Sequence, residues 1–169
     1  MKPKILAFVG PSGSGKTTLV EHIKKELGIE VVVSYTTRPM RDGEVNGVDH
    51  HFVSESDMPA KSEMLAYTKF GSYHYWTELN QIPEGVCSYV IDEKGLVMLW
   101  EQFDSQFDII PILIKRNFDI LKNEIDKERL LRDKGRIKIE ESAYRAVIYN
   151  DSSLEEFKKS ATQLIKNII

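Results

Sequence analysis

Nine residues near the start, GPSGSGKTT at 10–18, carry the plainest chemistry in the chain. They satisfy G-x-x-x-x-G-K-[ST] through Gly10, Gly15, Lys16 and Thr17. The glycines let the backbone turn tightly, so successive amide N–H groups point inward at phosphate oxygens. A helix starting near Lys16 adds the positive end of its dipole. Lys16 would reach the β- and γ-phosphates of a nucleoside triphosphate, and the Thr17 hydroxyl would ligate Mg²⁺. Gly10, Pro11, Ser12, Gly13, Ser14, Gly15, Lys16, Thr17 and Thr18 are therefore expected to bind a nucleoside triphosphate, with Mg²⁺ as cofactor. Further along, SYTTRPMRDGE at 34–44 sets Arg38 and Arg41 three residues apart among hydroxyls. Guanidinium forks take phosphate oxygens in pairs, so this loop reads either as a second anion grip or as a solvated surface.

The elements that must position these groups follow from periodicity. KILAFVG is a short apolar run, a strand buried on both faces. Residues 16–27 place Leu19, Ile23 and Leu27 on one helical face and meet Gly28 as a stop. IEVVVS closes a βαβ unit. Residues 35–85 then turn polar and aromatic, with HHFV and SYHYW as short strands, and read as an insertion with its own small sheet. VCSYVID, FDIIPILIK and YRAVIYND return to buried strands. GLVMLWEQF and 154–168 are amphipathic helices, and 117–142 reads as charged helix. Pro111 inside a strand points to a sheet edge or a strand start. The predicted fold is α/β, a three-layer core of one domain with a mainly parallel five-stranded sheet. The core is 1–34 and 86–169, and the insertion about 35–85.

Composition narrows the partners. The 169 residues are 41% hydrophobic and 29% charged with net charge −3, so no overall basic field draws nucleic acid or an anionic membrane. The apolar run after Lys4 ends at Gly10, too short for a signal peptide, and nothing approaches a membrane span. Cys87 is the one cysteine, which fits a reducing cytoplasm and a small buried hydrophobe. His22, His51 and His74 lack metal-ligand spacing. Small-molecule partners and a monomer or weak homodimer are expected.

The loop SYTTRPMRDGEVNGVDHHFV resembles the guanylate kinase family's S-x-x-T-T-R-x-x-R-x-G-E-x-x-G-x-x-Y-x-F through Ser34, Thr36, Thr37, Arg38, Arg41, Gly43, Glu44, Gly47 and Phe52. FGSYHYWT at 70–77 is similar to the family's F-x-x-x-Y-Y-G-[ST], and VIYND at 147–151 to its V-x-N-D-D. The resemblance implies a P-loop NTPase fold with an inserted monophosphate-binding subdomain. It implies transfer of the ATP γ-phosphate to GMP or dGMP, giving GDP or dGDP. It further implies that Arg38, Arg41 and Tyr75 hold the acceptor phosphate, that Ser34 and Thr77 touch the base, and that Asn150 touches the ATP adenine. It also implies a helical lid at about 126–140, where DKERLLRDKGR offers Arg129, Arg132 and Arg136. Lys16, Arg38, Arg129 and Arg132 are the catalytic candidates.

The departures bear on the base. The family's tyrosine near Phe52 is His50 here, able to donate to phosphate and, if protonated, to add charge. The family's guanine-reading glutamate falls on Ala66, with Glu63 a turn earlier. Its D-x-D, aligned on Gly95, falls on Val90 and Asp92, while a gap would instead make Asp92 the first acid. Asp92 either serves the acceptor and the magnesium shell, the latter through water, or caps the next helix. Altered or broad base choice, and a non-catalytic binding module, are the alternative readings.

Overall fold

The computed structural model describes residues 2–169, the side chains of Glu128 and Arg132 apart. Five parallel strands form the main sheet in the order β2-β7-β1-β8-β9. They are β1 (Lys4–Val9), β2 (Glu30–Val32), β7 (Val86–Val90), β8 (Asp108–Lys115) and β9 (Ala146–Tyr149). The apolar run of β1 pairs β7 on one side, Ile5 opposite Cys87, and β8 on the other, Ile5 opposite Ile109. Both its faces are covered, which is why the run does not alternate. On one face Ile5, Ala7 and Val9 pack with Leu96 and Leu99 of α2 (Glu93–Phe103). On the other, Leu6 and Phe8 pack with Leu19 and Ile23 of α1 (Lys16–Leu27) and with Phe157, Ala161 and Ile165 of α5 (Leu154–Lys166). Helix, sheet and helix give the three layers.

Pro111 corrects the edge expectation, because it lies in interior β8. Its carbonyl accepts from Arg145 N–H at 2.8 Å, just before the β8–β9 ladder begins at Ile112 and Ala146. Its missing N–H points to that same side, where no ladder partner yet waits, so an interior position costs little.

The insertion forms a second sheet, β4-β3-β6-β5, from β3 (Tyr35–Thr36), β4 (His51–Phe52), β5 (Met64–Phe70) and β6 (Tyr73–Glu78). Segment 117–142 is not one helix. α3 (Phe118–Glu124) stops at Ile125, and α4 (Lys127–Lys134) restarts beyond Asp126, whose carboxylate accepts from Arg129 N–H at 2.9 Å. Among the described residues no helix is long and apolar enough to cross a membrane.

Candidate active site

The glycine loop leaves β1 at its carboxyl end, the rim where open α/β sheets bind ligands. Two glycines there are dictated by space. A Cβ on Gly10 would lie 2.4 Å from the Ile114 carbonyl oxygen. Gly15 holds φ +102° and a Cβ on it would meet Asn150 Nδ2 at 2.6 Å. Asn150 Nδ2 donates to Ser14 O at 2.9 Å and so braces the loop from β9. Its side chain is a strut here, whereas the resemblance assigned it to adenine. Lys16 Nζ donates to Gly10 O at 2.7 Å and Pro11 O at 2.8 Å.

Across the cleft, the loop between β3 and β4 presents the arginines. Arg38, 6% exposed, donates to Glu44 through two nitrogens, at 2.7 and 2.9 Å, and to Pro39 O at 2.8 Å. Its guanidinium also stands 5.4 Å over Phe52. Glu44 accepts Arg41 N–H at 2.7 Å as well. The Arg38 hydrogen bonds, with help from Arg41, hold Glu44 at a pKa of about 2 against its partial burial. Glu44 and Pro39 thus fix the plane of the guanidinium, which lines the cleft in a set position. His50 Nδ1 is 2.8 Å from the Ser34 hydroxyl, and its ring meets Tyr75 edge-on at 5.7 Å. Burial first, then the Arg38 charge, lowers the His50 pKa below its ordinary value. At neutral pH the imidazole therefore offers a hydrogen bond, and the added charge expected from the sequence is confined to acid.

Both halves face one cleft. Lys16, Thr17, Ser34, Arg38, Arg41, His50, Tyr75 and Arg129 line one part of it. Gly10, Lys16, Ser34, His50, Tyr75, Tyr89, Val90, Asp92, Asp133 and Arg136 line the contiguous part. Gly13, Gly15, Thr17, Thr18, Arg116, Arg129 and Asn150 wall a third hollow on the far side of the glycine loop. Arg129 thus reaches the loop and stands 3.4 Å from Asp126. The Arg132 side chain lies outside the described residues. Thr77 is fully buried and hydrogen-bonded to the hydroxyl of Tyr89, which lines the cleft.

Of its two readings, Asp92 shows the helix cap. Oδ1 accepts Gly95 N–H at 2.7 Å and caps α2. Oδ2 is buried with no hydrogen-bond partner. Burial raises its pKa, opposed by the Gly95 bond. Asp92 lines the same part of the cleft as Lys16, and Thr17, exposed at the helix start, has the hydroxyl that suits a cation's inner shell. No group of three or more His, Cys, Asp or Glu gathers to hold a metal among the described residues, so a cation would come with the nucleotide phosphates.

Three functional contacts escape the motifs. Asp133 of α4 accepts from Ser12 N–H at 2.8 Å and Ser12 Oγ at 3.2 Å, putting a carboxylate on the phosphate loop. Arg136 donates to both oxygens of Glu93, at 2.6 and 2.8 Å, both side chains being nearly buried. Arg116 donates to Gly13 O at 3.0 Å and to both oxygens of Glu124. The D-x-x-R spacing of Asp133 and Arg136, in a segment already rich in arginine, is the one local signal for the first two.

Comparison with known proteins bears on the family and the fold. The family model described as guanylate kinase matches residues 1–89. A guanylate kinase of Protochlamydia amoebophila is 30% identical over 181 aligned residues, covering 99% of this chain and 90% of its own. One from Chlorobium luteolum is 28% identical over 184, covering 98% and 92%. The crystal structure of a guanylate kinase from Anaplasma phagocytophilum superposes with a TM-score of 0.69 at 23% identity, over 99% of this chain and 84% of that one, a likeness of fold.

Proposed function

The chain belongs to the guanylate kinase family, and from that premise we propose that it passes the γ-phosphoryl group of ATP to GMP or dGMP, giving ADP and GDP or dGDP. The observation that carries the assignment is one cleft shared by Lys16 and the locked pair of Arg38 and Glu44. ATP occupies residues 10–18, its triphosphate on the loop amides and Lys16, with Asn150 and Arg116 on the adenine side. The acceptor phosphate sits on Arg38, Arg41, Tyr75 and His50, with its base toward Ser34, Tyr89 and Asp92. The core, 1–34 and 86–169, holds ATP; the insertion, about 35–85, holds the acceptor; the segment at about 126–140 is the lid.

No side-chain base is needed. A phosphate monoester loses its second proton near pH 6, so the acceptor oxygen is already a nucleophile at neutral pH. The protein's work is to align two anions that repel and to neutralise the group in flight. Arg38 and Arg41 hold the attacking phosphate. Lys16 and Arg129 bear on the transferred one, and Arg132 is proposed beside them. The Thr17 hydroxyl would hold Mg²⁺, which would supply further charge neutralisation to the phosphates when bound. The lid excludes water that would otherwise consume ATP. A lone buried Cys87, its thiol pushed by burial up to about 12, suits a cytoplasmic setting.

The test is ADP release from ATP with GMP, dGMP, AMP, CMP, UMP and dTMP in turn. GMP or dGMP should be preferred. Turnover with none of them would leave only a binding module, and equal turnover with pyrimidines would defeat the purine assignment.

A further inference from the structure

Ala66, Thr68 and Tyr89 wall a part of the cleft that Arg38 and Arg41 do not line. β5 slips register against β6 between Leu65 and Thr68, and Ala66 sits in that slip at φ +51°. The slip brings only a methyl group, 3% exposed, to the wall. From β7, Tyr89 is also 3% exposed, with its hydroxyl on that of Thr77, and either oxygen can be the donor. Thr68, 7% exposed, adds another hydroxyl.

The carboxylates of this part are Asp92 and Asp133. Asp133 is engaged by Ser12, and Asp92 has one oxygen on Gly95. The remaining oxygen, Asp92 Oδ2, can satisfy one N–H of a base. Among the described residues lining this part, no side chain offers the two parallel carboxylate acceptors that an N1–H and 2-amino edge would fill. A site rejects an analogue lacking a donor when the loss strands a buried acceptor. Guanine and hypoxanthine share N1–H and O6 and differ in the 2-amino group. N1–H alone satisfies the single open oxygen, so losing the amino group strands nothing. A hydroxyl couple also turns to suit its ligand, donating to O6 while accepting from its neighbour, which a carboxylate cannot do.

Resting on the reading of this cleft as the acceptor site, we infer that Tyr89, coupled to Thr77, reads the 6-oxo edge of the acceptor purine and leaves the 2-amino group unread. The acceptor class is then the 6-oxopurine nucleoside monophosphates, inosine 5′-monophosphate together with GMP.

The experiment is kcat/KM for GMP and inosine 5′-monophosphate, by ADP release, in wild type, Tyr89→Phe and Ala66→Glu. In wild type the two acceptors should agree within about tenfold, since no paired acceptor is stranded. Tyr89→Phe keeps the ring and should raise KM for both acceptors by about tenfold with KM for ATP unchanged, a split that general loosening would not give. Ala66→Glu sets an acceptor pair against the donor edge and should open the GMP preference by at least about tenfold. A wild-type preference for GMP above about a hundredfold, or acceptor KM values untouched by Tyr89→Phe, overturns the inference. If Ala66→Glu does not fold, the wild-type ratio still decides. Turnover of neither acceptor overturns the kinase reading, and this inference with it.

Discussion

Replacing Asp133 with alanine should tighten ATP binding. The lid helix places this carboxylate on the phosphate loop, at 2.8 Å from Ser12 N and 3.2 Å from Ser12 Oγ. The triphosphate needs the amides of the same loop, so lid carboxylate and nucleotide compete for one anion site. A hydrogen bond to a charged group contributes about 1.5–3 kcal/mol net. The Asp133 side chain is 16% exposed, and the longer of its two bonds is weak, so a value near the lower bound applies. About 1.4 kcal/mol is a factor of ten, and removing the competitor lowers the apparent Kd by the factor that restores the open loop. Calorimetric titration of Mg·ATP without acceptor should therefore show Asp133→Ala binding about tenfold more tightly than wild type, with Asp133→Asn between them. Arg136 keeps its bidentate hold on Glu93 in both variants, so the lid retains one anchor. Unchanged or weaker ATP binding in Asp133→Ala would refute the competition.

Other outcomes follow from the same contacts. Lys16→Ala should cost at least about a hundredfold in kcat, the scale of losing one aligned charge donor. Arg38→Lys keeps the charge and loses the fork; acceptor KM should rise while KM for ATP holds, and equal changes in both would contradict the division of the cleft. The ion pair with Arg38 takes the Glu44 carboxyl from its ordinary 4.5 to about 2, so the pair stabilises the fold fully above 4.5 and loses that contribution as pH falls toward 2. The acid limb of Tm against pH should accordingly flatten in Glu44→Gln. The lowered His50 pKa confines its charge to pH below the ordinary 6.5. Acceptor KM in wild type and His50→Phe should run parallel above that value and diverge below it, wild type gaining affinity.

The parts of the fold legible in sequence were those with a clean period. Leu19, Ile23, Leu27 and the Gly28 stop delimit α1 as found, Lys16–Leu27, because one buried face and a left-handed cap leave few options. Strand β5 was not legible. The slip at Ala66 breaks the alternation that marks a half-buried strand, so MLAYTKF has no period of two. Two-residue β3 is shorter than any pattern. The break at Ile125 carried a signal, Asp126 as cap to Arg129, that charge density around it hid. Within the site, groups on the two phosphate-gripping loops were legible because their spacing is local. Arg136 with Glu93, 43 residues apart, and Ser12 with Asp133, 121 apart, leave no local trace and depend on how the lid packs. The Thr77 motif position fixes the residue type and its strand, while the neighbour it bonds, Tyr89, comes from the other sheet and left no local trace.

The central claim is that two phosphate groups meet end to end between the glycine loop and the inserted lobe. A crystal structure with adenosine and guanosine joined through a chain of phosphates tests it most directly. The claim requires the adenosine side of the phosphate chain on residues 10–18 and the guanosine phosphate in contact with Arg38 and Arg41. A guanosine phosphate bound away from both arginines, with the glycine loop occupied, would contradict it.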